Sequence, residues 1–230
     1  MTLLDRRSPL PRDCPGAYQR FVYPALGKQY LPVPPADPLT NVGEVLSNRK
    51  SRRDYLRLPV SDLSSLLWYA AKSRSLQTSE DGRLWQHRPA PSAGGLHPID
   101  LIVSPSKPAS ELRQLFLYDA SAHALLSLQT NAESSREFFH DVNEVLPIEN
   151  ATILWFVSEP DRTLSRYRDG ESLIWLDAGA LLTTIYITSE ALGLACCAIG
   201  RTGEPWISSA LYADNCLHGL CGCLVGRRIG

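Results

Sequence analysis

Residues 88–100 read RPAPSAGGLHPID, and this stretch does most to decide what the chain can be. Gly94 and Gly95 have no Cβ, so a flat ligand can approach their peptide groups closely, and either residue can adopt a positive φ. Prolines on both sides of the pair fix φ and reduce the entropy lost when the loop becomes ordered. Ser92 adds one small hydroxyl group that donates or accepts a hydrogen bond. The stretch predicts a ligand-binding loop, with a plain turn before a strand as the alternative.

A basic cluster about forty residues earlier favours the ligand-binding interpretation. Arg49, Ser51 and Arg53 alternate with Lys50 and Arg52 directly after a helix-like segment. Two guanidinium groups and a hydroxyl can converge on one phosphate dianion. The alternation turns Lys50 and Arg52 the other way, so we expect both to be solvated. The alternative is that the cluster only ends a helix, where basic residues complement the helix dipole.

These segments occur in an order that resembles a known family. RKSRRDY is followed by the helix-like SDLSSLLWYAAKSR, then by PSAGGLHPIDLIV, and finally by LDAGALL and YITSEALGL. The ordered set is similar to the nitroreductase-like FMN flavoproteins. More narrowly it resembles the SagB-type dehydrogenases, which oxidise azoline rings to azoles in modified peptides. The resemblance covers the chain from about Tyr30 to the C-terminus, and PSAGGLHP is its most specific part.

The resemblance implies an FMN site built from several segments. Arg49, Ser51 and Arg53 would bind the phosphate, and a basic residue after Gly226 would complete that site. The glycine-rich loop and the segment after the long helix would lie along the flavin ring, where backbone N–H groups can tune its electron affinity. The cofactor residues implied in this way, apart from the three named, are Pro91, Ser92, Ala93, Gly94, Gly95, Ile199, Gly200 and Arg228, which is preferred to Arg227.

Catalytic residues are harder to assign, because the chain departs from the family pattern. Counted back from Asp177, the Lys-Tyr pair of azoline oxidases falls on Ser165 and Arg166, or on Arg166 and Tyr167 after a one-residue slip. Arginine is no general base, because its pKa lies far above neutrality. Tyr167 is therefore the candidate acid or base. For His97 a structural and a catalytic role are both open.

Two departures lie inside the long helix. Asp177 stands where the family usually carries Glu, and a carboxylate in an apolar helix must be paired or hydrogen bonded. We assign it a structural or flavin-side role. The family's Gln-Asn pair is replaced by Thr183 and Thr184.

Three functions are open at this point. The first is an FMN-dependent oxidoreductase that oxidises a modified peptide or another small natural-product intermediate by hydride transfer to flavin N5. The second is a nitro or quinone reductase with NAD(P)H as the electron donor. The third, motivated by the two missing pairs, is a degenerate flavin fold that serves as a scaffold subunit of a biosynthetic complex. The resemblance also implies a homodimer, or a dimer with a related chain, with the long buried helix at its interface.

Composition agrees with a soluble enzyme. A chain of 230 residues with 44% hydrophobic content can bury one sizeable core, and a net charge of −1 argues against a nucleic-acid surface. The N-terminus has no apolar core long enough for a signal peptide, and Asp177 and Glu190 interrupt the apolar region 173–200. We therefore expect a cytoplasmic protein without a membrane span. The six cysteines lack paired spacing and are predicted as buried hydrophobes without a metal.

The patterning predicts an α+β fold, because the strands do not alternate strictly with helices. The resemblance implies a central, mostly antiparallel sheet flanked by helices. Residues 1–38 are rich in proline and are predicted as an N-terminal arm, and residues 39–230 as the FMN-binding domain. Three helices are predicted: 62–73 with Ser61 as its N-cap, 134–145, and a mostly buried helix 172–192 that ends at Gly193. The predicted strands are 101–103, 115–118, 151–158 and 221–225. Residues 75–87 are predicted to form a loop.

Overall fold

The computed structural model describes residues 8–35, 41–78, 84–107, 113–213 and 215–229. In chain order its strands are β1 Leu10–Pro11, β2 Ala25–Tyr30, β3 Ser75–Thr78, β4 Leu84–His87, β5 Ile99–Ser104, β6 Phe116–Asp119, β7 Ala124–Leu128, β8 Thr152–Ser158, β9 Tyr167–Arg168, β10 Leu194–Ile199 and β11 His218–Arg227. Its helices are α1 Val42–Asn48, α2 Val60–Ala70, α3 Ala132–Val145, α4 Pro160–Leu164, α5 Glu171–Ala191 and α6 Trp206–Ala210.

A seven-stranded sheet organises these elements. Its strand order is β10-β11-β8-β5-β6-β7-β2, and every neighbouring pair is antiparallel. Two further two-stranded sheets pair β1 with β9 and β3 with β4. The predicted α+β class, with an antiparallel sheet flanked by helices, is confirmed.

Strand β8 shows how the sheet separates two cores. It is buried along its whole length, because helices cover both faces. Successive side chains of a strand point to opposite faces. Leu154 and Phe156 pack with α2 and α5, whereas Ile153, Trp155 and Val157 pack with α3 and α6. Burial on both faces is why the sequence shows a continuous apolar run here instead of alternation.

The predicted elements are confirmed in type, with ends that shift by up to three residues. The four predicted strands are parts of β5, β6, β8 and β11, and the three predicted helices are α2, α3 and α5. The predicted N-cap Ser61 is wrong, because α2 begins at Val60, two residues earlier than predicted, and its N-cap is Pro59. Gly193 has φ +68 directly after α5, as its predicted role requires.

The prediction of a loop over residues 75–87 is wrong. Ser75–Thr78 and Leu84–His87 pair in register as an antiparallel hairpin, and residues 79–83 lie outside the described residues. Polar composition suggested a loop, whereas cross-strand hydrogen bonds determine the structure. The predicted arm also contains a strand, since β2 extends the main sheet beside β7. The boundary at residue 38 lies outside the described residues and stays a prediction.

Helix α5 is less buried than predicted. It is followed at once by a strand, as expected, and packs against α2, β10 and β11. Its length and composition alone would allow it to cross a membrane, but one side of it belongs to the core, where Ile174, Ala178 and Ile185 are buried. On the other side Trp175 and Leu176 are 48% and 67% exposed. The periodicity could not reveal this, because apolar residues surround the whole helix.

The cysteines differ in burial. Cys196, Cys197 and Cys223 are buried, in line with the prediction. Cys14 and Cys216 are exposed, so for these two residues the prediction of burial is wrong. In the described ranges no cluster of three or more His, Cys, Asp or Glu residues could hold a metal ion.

Packing between β11 and β8 gives a test of the sheet. Gly222 is paired with the fully buried Trp155, and a Cβ on it would overlap the indole ring and lie 2.9 Å from the Leu154 carbonyl oxygen. We expect Gly222→Ala to lower the free energy of unfolding by about 1–3 kcal/mol, because the ring has no room to move. Urea unfolding measures the change.

Gly16→Ala is the matched control. A Cβ on Gly16 would meet its nearest atoms at 3.6 Å, an ordinary contact. This variant should unfold like the unsubstituted protein. Equal stabilities of the two variants would contradict the packing between Gly222 and Trp155.

Candidate functional site

The glycine-rich loop forms a tight turn between β4 and β5. Gly94 and Gly95 have φ values of +60 and +64, so both use the conformational freedom that the sequence suggested. A Cβ on Gly95 would overlap the Trp85 ring, and a Cβ on Gly94 would lie 2.9 Å from the Tyr167 hydroxyl. The glycines are therefore required both by backbone conformation and by close contacts. Pro91 is exposed where the chain enters the turn.

Asp177 of α5 holds this loop in place. Its carboxylate accepts a hydrogen bond from Ser92 Oγ at 2.5 Å and another from the Ala93 N–H at 3.0 Å. Ser92 Oγ in turn accepts from the His97 N–H at 2.8 Å. Burial raises the pKa of Asp177, and the two hydrogen bonds oppose this shift. These contacts place Asp177 in a structural role at the loop.

The loop also leaves two backbone donors without an acceptor in the described part of the chain. The N–H groups of Ala93, Gly95 and Leu96 are used, by Asp177, by the Ser92 carbonyl and by the Ala93 carbonyl. In the described part of the chain neither the Ser92 N–H nor the Gly94 N–H has an acceptor, and of these two residues Gly94 is the exposed one. Of the backbone donors predicted along the loop, that of Gly94 is the one best able to bond a ligand.

His97 braces the base of the loop. Its ring Nε2 lies 2.9 Å from the Gln86 carbonyl oxygen, which can only accept, so Nε2 carries the proton. Its own carbonyl accepts from Arg162 at 2.5 Å. Burial lowers the pKa of His97 to about 4, and the charge of Arg88 adds to the shift. A neutral ring with a hydrogen bond at Nε2, on a residue whose backbone carbonyl is also bonded, favours the structural of the two roles left open by the sequence.

Arg162 connects the loop to two buried carboxylates. Its guanidinium pairs with Asp100 at 3.2 Å and also with Glu159. Burial alone would raise the pKa of Asp100, but Arg162 and Arg20 hold it below its ordinary value. The Tyr23 hydroxyl donates to the same carboxylate at 3.1 Å. This network ties the N-terminal segment, β5 and α4 together beneath the loop.

A cavity of about 520 Å³ opens beside Gly94 and Gly95. Ser165 and Arg166, the two positions of the gap-free Lys-Tyr alignment, line this cavity. Tyr167 follows in β9, and its hydroxyl lies against Gly94. All three candidate positions are thus at the glycine-rich loop, although the catalytic role of Tyr167 stays a prediction.

The basic cluster lies at the other end of α5. Ser51 Oγ is 3.0 Å from the Tyr186 hydroxyl, and the Arg49 guanidinium lies 5.4 Å from the centre of the Tyr186 ring. The same hydroxyl accepts from the Ala198 N–H at 2.7 Å. Tyr186 therefore joins the basic cluster to the segment that leads into Ile199 and Gly200. Sequence reasoning missed Tyr186, because an aromatic residue in an apolar helix gives no distinguishing signal.

The remaining basic residues are mostly paired. Arg52 is not solvated as predicted: it pairs with Glu190 of α5 at 2.7 Å, and its side chain is 20% exposed. Arg228 pairs with the same carboxylate at 2.7 Å, and Arg227 pairs with Asp62 at 2.7 Å. The prediction for Arg52 failed because α5, not solvent, lies on that side of the segment.

Arg49, Ser51 and Arg53 suit a phosphate. In the residues that the structure describes, neither Arg49 nor Arg53 forms an ion pair with a carboxylate. Arg53 lies close enough to β10 to oppose the rise in the pKa of Cys197 that burial causes. A Cβ on Gly200, two residues after Ala198, would meet no atom within 4 Å, so there is open space at that glycine. The residues present therefore fit a phosphate with an attached group.

The loop and the basic cluster contact opposite faces of α5. Asp177 and Tyr186 are nine residues apart, which is two and a half turns, so their side chains point about 180° apart. They are separated by about 13.5 Å along the axis. A helix about 10–12 Å across thus lies between the two halves of the candidate site within one chain.

Comparisons with known proteins agree with this architecture. The model of the Nitroreductase family matches residues 46–227. A Ralstonia eutropha JMP134 protein, provisionally assigned as a nitroreductase, aligns with TM-score 0.64 at 22% identity over 94% of this chain and 98% of that chain. An Anabaena variabilis ATCC 29413 protein of the same provisional assignment gives 0.62 at 20% identity, over 85% and 40%.

A third similar structure belongs to a complex. A chain of the E. coli microcin synthetase McbBCD complex with truncated pro-MccB17 bound aligns with TM-score 0.58 at 16% identity. The alignment covers 86% of this chain and 77% of that chain. At these identities the likeness shows the fold. No curated protein matches the sequence.

His97 predicts a pH dependence of stability. Because its folded pKa of about 4 lies below the ordinary 6.5, its contribution is complete above pH 6.5 and is lost as pH falls toward 4. Replacement by Asn tolerates the positive φ of this position but removes the titrating ring. The unfolding free energy of the unsubstituted protein should exceed that of His97→Asn by about 1 kcal/mol or more near neutral pH.

Urea unfolding at several pH values measures this difference. We expect it to shrink steadily between pH 6.5 and 4. The raised pKa of Asp177 acts in the opposite direction, but both proteins contain it, so it cancels. A difference that is constant over this range would refute the neutral, buried state of His97.

Proposed function

This chain belongs to the nitroreductase family, and from that premise we propose that it is an FMN-dependent oxidoreductase that oxidises a modified peptide or a small natural-product intermediate. The observation that carries the proposal is the convergence of Arg49 and Ser51 with the segment before Ile199 and Gly200, around Tyr186. Two guanidinium groups without carboxylate partners and a hydroxyl form a suitable site for the FMN phosphate.

Glu190 illustrates how the phosphate site is kept positive. This carboxylate lies one turn beyond Tyr186 and is paired with both Arg52 and Arg228. An unpaired carboxylate at this position would repel a phosphate. With Glu190 neutralised, Arg49 and Arg53 remain to bind the anion. In this assignment Arg228 acts on the phosphate mainly by neutralising Glu190, and Arg227 lies further out with Asp62.

The flavin ring requires a second copy of the chain. A ligand bound at Arg49 cannot also reach the glycine-rich loop of the same chain, because α5 lies between them. The exposed Trp175 and Leu176 on α5 form an apolar surface that a second copy would cover. In a two-fold dimer, Ser92, Ala93, Gly94 and Gly95 of one copy would complete the site that begins at Arg49 of the other.

The cofactor and the residues of the chain would supply different parts of the chemistry. When bound, FMN supplies the hydride acceptor. The Gly94 N–H is available to bond the ring, and Asp177 and His97 keep that donor in position. Tyr167, whose hydroxyl lies against Gly94, is the candidate to take a proton from the substrate.

Two observations support the choice of substrate class. PSAGGLHP resembles the loop of the SagB-type dehydrogenases, and the fold is similar to that of a chain in a microcin synthetase complex. A neighbouring cavity of about 520 Å³ offers room for a small molecule or the end of a peptide.

Cofactor retention tests the proposal. The purified protein should show a flavin absorption spectrum, and the compound released by heat should be FMN by mass. Arg49→Ala together with Arg53→Ala should reduce FMN affinity at least a hundredfold, because each hydrogen bond to a charged group contributes about 1.5–3 kcal/mol. Lys50→Ala, which removes an exposed cation of the same segment, is the control and should retain FMN.

Two results would contradict this function. A colourless protein that takes up no added FMN would favour the scaffold function. Rapid bleaching of the flavin by NADPH under nitrogen would favour the reductase, with NAD(P)H as electron donor, over the dehydrogenase. Indifference to NAD(P)H is the result that we expect.

Subunit association is tested separately. Leu176→Glu places a charge on the exposed face of α5 and should convert a dimer into monomers, with loss of FMN. The control is Leu26→Glu. Leu26 lies on the exposed edge strand β2 and is itself 71% exposed. Size-exclusion chromatography with light scattering gives the mass. A Leu176→Glu protein that remains dimeric would place the interface elsewhere.

A further inference from the structure

The cavity beside the glycine-rich loop has an unusual concentration of arginines. Its walls come from the N-terminal segment, from the β3–β4 hairpin, from Gly94 and Gly95, and from the end of α4. Four of its lining residues are Arg20, Arg88, Arg162 and Arg166. In the described part of the chain no Asp or Glu lines it.

Two carboxylates lie near Arg20, Arg88 and Arg162, which is too few to neutralise all three. Asp100 and Glu159 both pair with Arg162, and Arg20 lies 3.7 Å from Asp100. Arg20, Arg88 and Arg162 against these two carboxylates leave a surplus of one positive charge around the cavity. A surplus in a partly enclosed space raises the local concentration of anions.

Arg88 lacks an ion-pair partner in the described part of the chain, although the charge of Asp100 acts on it from a greater distance. Its Nε and Nη2 both donate to Gln86 Oε1, at 2.9 and 2.6 Å. Among the described residues no carboxylate lies within ion-pair distance of Arg88, and its Nη1 donates to no acceptor. Gln86 is itself held by Ser121, since its Nε2 donates to Ser121 Oγ at 3.3 Å. The amide therefore presents its oxygen to Arg88 in a fixed direction.

Burial makes this arrangement unfavourable without a further partner. Removal from water lowers the pKa of Arg88 to about 10, so the group still carries its charge at neutral pH. A buried charge is stable only when it is paired and hydrogen bonded. One neutral amide oxygen satisfies a guanidinium poorly, because the group has five N–H donors.

We propose that this cavity binds the anionic group of a small substrate, a carboxylate or a phosphate, and that Arg88 is its main partner. Arg166 and Arg20 line the same space and add to the attraction. Trp85, which is 40% exposed, supplies an aromatic wall for a flat apolar part of the ligand. The anionic end lies toward Arg88, and the rest of the molecule extends along Gly94 and Gly95. The cavity volume is in the range of small-molecule sites.

The proposal narrows the substrate class to acids. That assignment rests on the proposed function, because the cavity adjoins the loop expected at the flavin. The anion site itself does not rest on it, since its residues come from one chain and do not involve the phosphate cluster. The experiment therefore reads anion binding and flavin content separately.

Isothermal titration calorimetry of the purified full-length protein tests the site with three probes. Benzoate and phenyl phosphate are anionic, and benzamide is a neutral analogue of benzoate with the same shape. We expect an anionic probe to bind at least about tenfold more tightly than benzamide. The ratio of benzoate to phenyl phosphate affinity tells which anion the site prefers. This comparison needs no variant, and equal affinities for all three probes would overturn the proposal.

Variants then assign the binding to Arg88. Arg88→Gln should lower the affinity for the anionic probe at least about tenfold and leave the affinity for benzamide unchanged. Arg88→Lys should retain part of the affinity for the anionic probe. Arg136→Gln, which removes an exposed arginine from α3, is the matched control. Circular dichroism verifies that each variant is folded. If Arg88→Gln does not fold, Arg20→Gln serves instead, because the Arg20 side chain is 54% exposed. This variant should lower the affinity for the anionic probe about threefold.

Two outcomes have distinct meanings. Unchanged anion affinity in folded Arg88→Gln would overturn the role of Arg88. Normal anion binding by a protein without flavin would support the cavity while contradicting the FMN-dependent function. The absorption spectrum of the same sample separates these cases.

Discussion

The candidate site depends on helix α5, because both of its halves are hydrogen bonded to this one element. Asp177 holds the glycine-rich loop, and Tyr186 holds the basic cluster together with the strand that follows. A loop with two residues at positive φ has many alternative conformations when it is free. Two hydrogen bonds to a helix that is itself packed in the core select one of them. Burial of the Asp177 carboxyl is unfavourable, as its raised pKa shows, and these hydrogen bonds offset part of that effect.

Under the proposed function, the same geometry explains why one chain would not make a whole site. A helix displays side chains around its full circumference, and nine residues bring the direction to the opposite face. Stability needs one face of α5 in the core, and the structure places the loop and the basic cluster at the two flanks of that core. The remaining face, with Trp175 and Leu176, is apolar and exposed. An arrangement of this kind is economical only if a second copy covers the exposed face and brings the complementary half with it.

Sequence was informative wherever the decisive interactions are local. Adjacent glycines before an apolar run predict a strained turn from backbone sterics alone, and the buried run of β8 predicts a strand. Sequence failed where distant segments meet. Arg52 and Glu190 are 138 residues apart, and nothing near Arg52 signals its partner. The β3–β4 hairpin and the edge strand β2 depend likewise on partners that the polar local sequence does not reveal. Tyr186 and Arg88 became candidates only after folding showed what surrounds them.

The distribution of paired and unpaired arginines gives the strongest argument about ligands. With 23 basic and 24 acidic residues, this chain has enough carboxylates to pair every cation. Two arginines form ion pairs with Glu190, and Arg162 forms ion pairs with both Asp100 and Glu159. Among the described residues, Arg49 and Arg53, which are exposed, and Arg88, which is partly buried, form no ion pair with a carboxylate. For Arg88 the consequence is energetic, because a partly buried guanidinium without a carboxylate lowers stability unless another anion pairs with it. We therefore propose two separate anions, one on the cofactor at Arg49 and Arg53 and one on the substrate at Arg88.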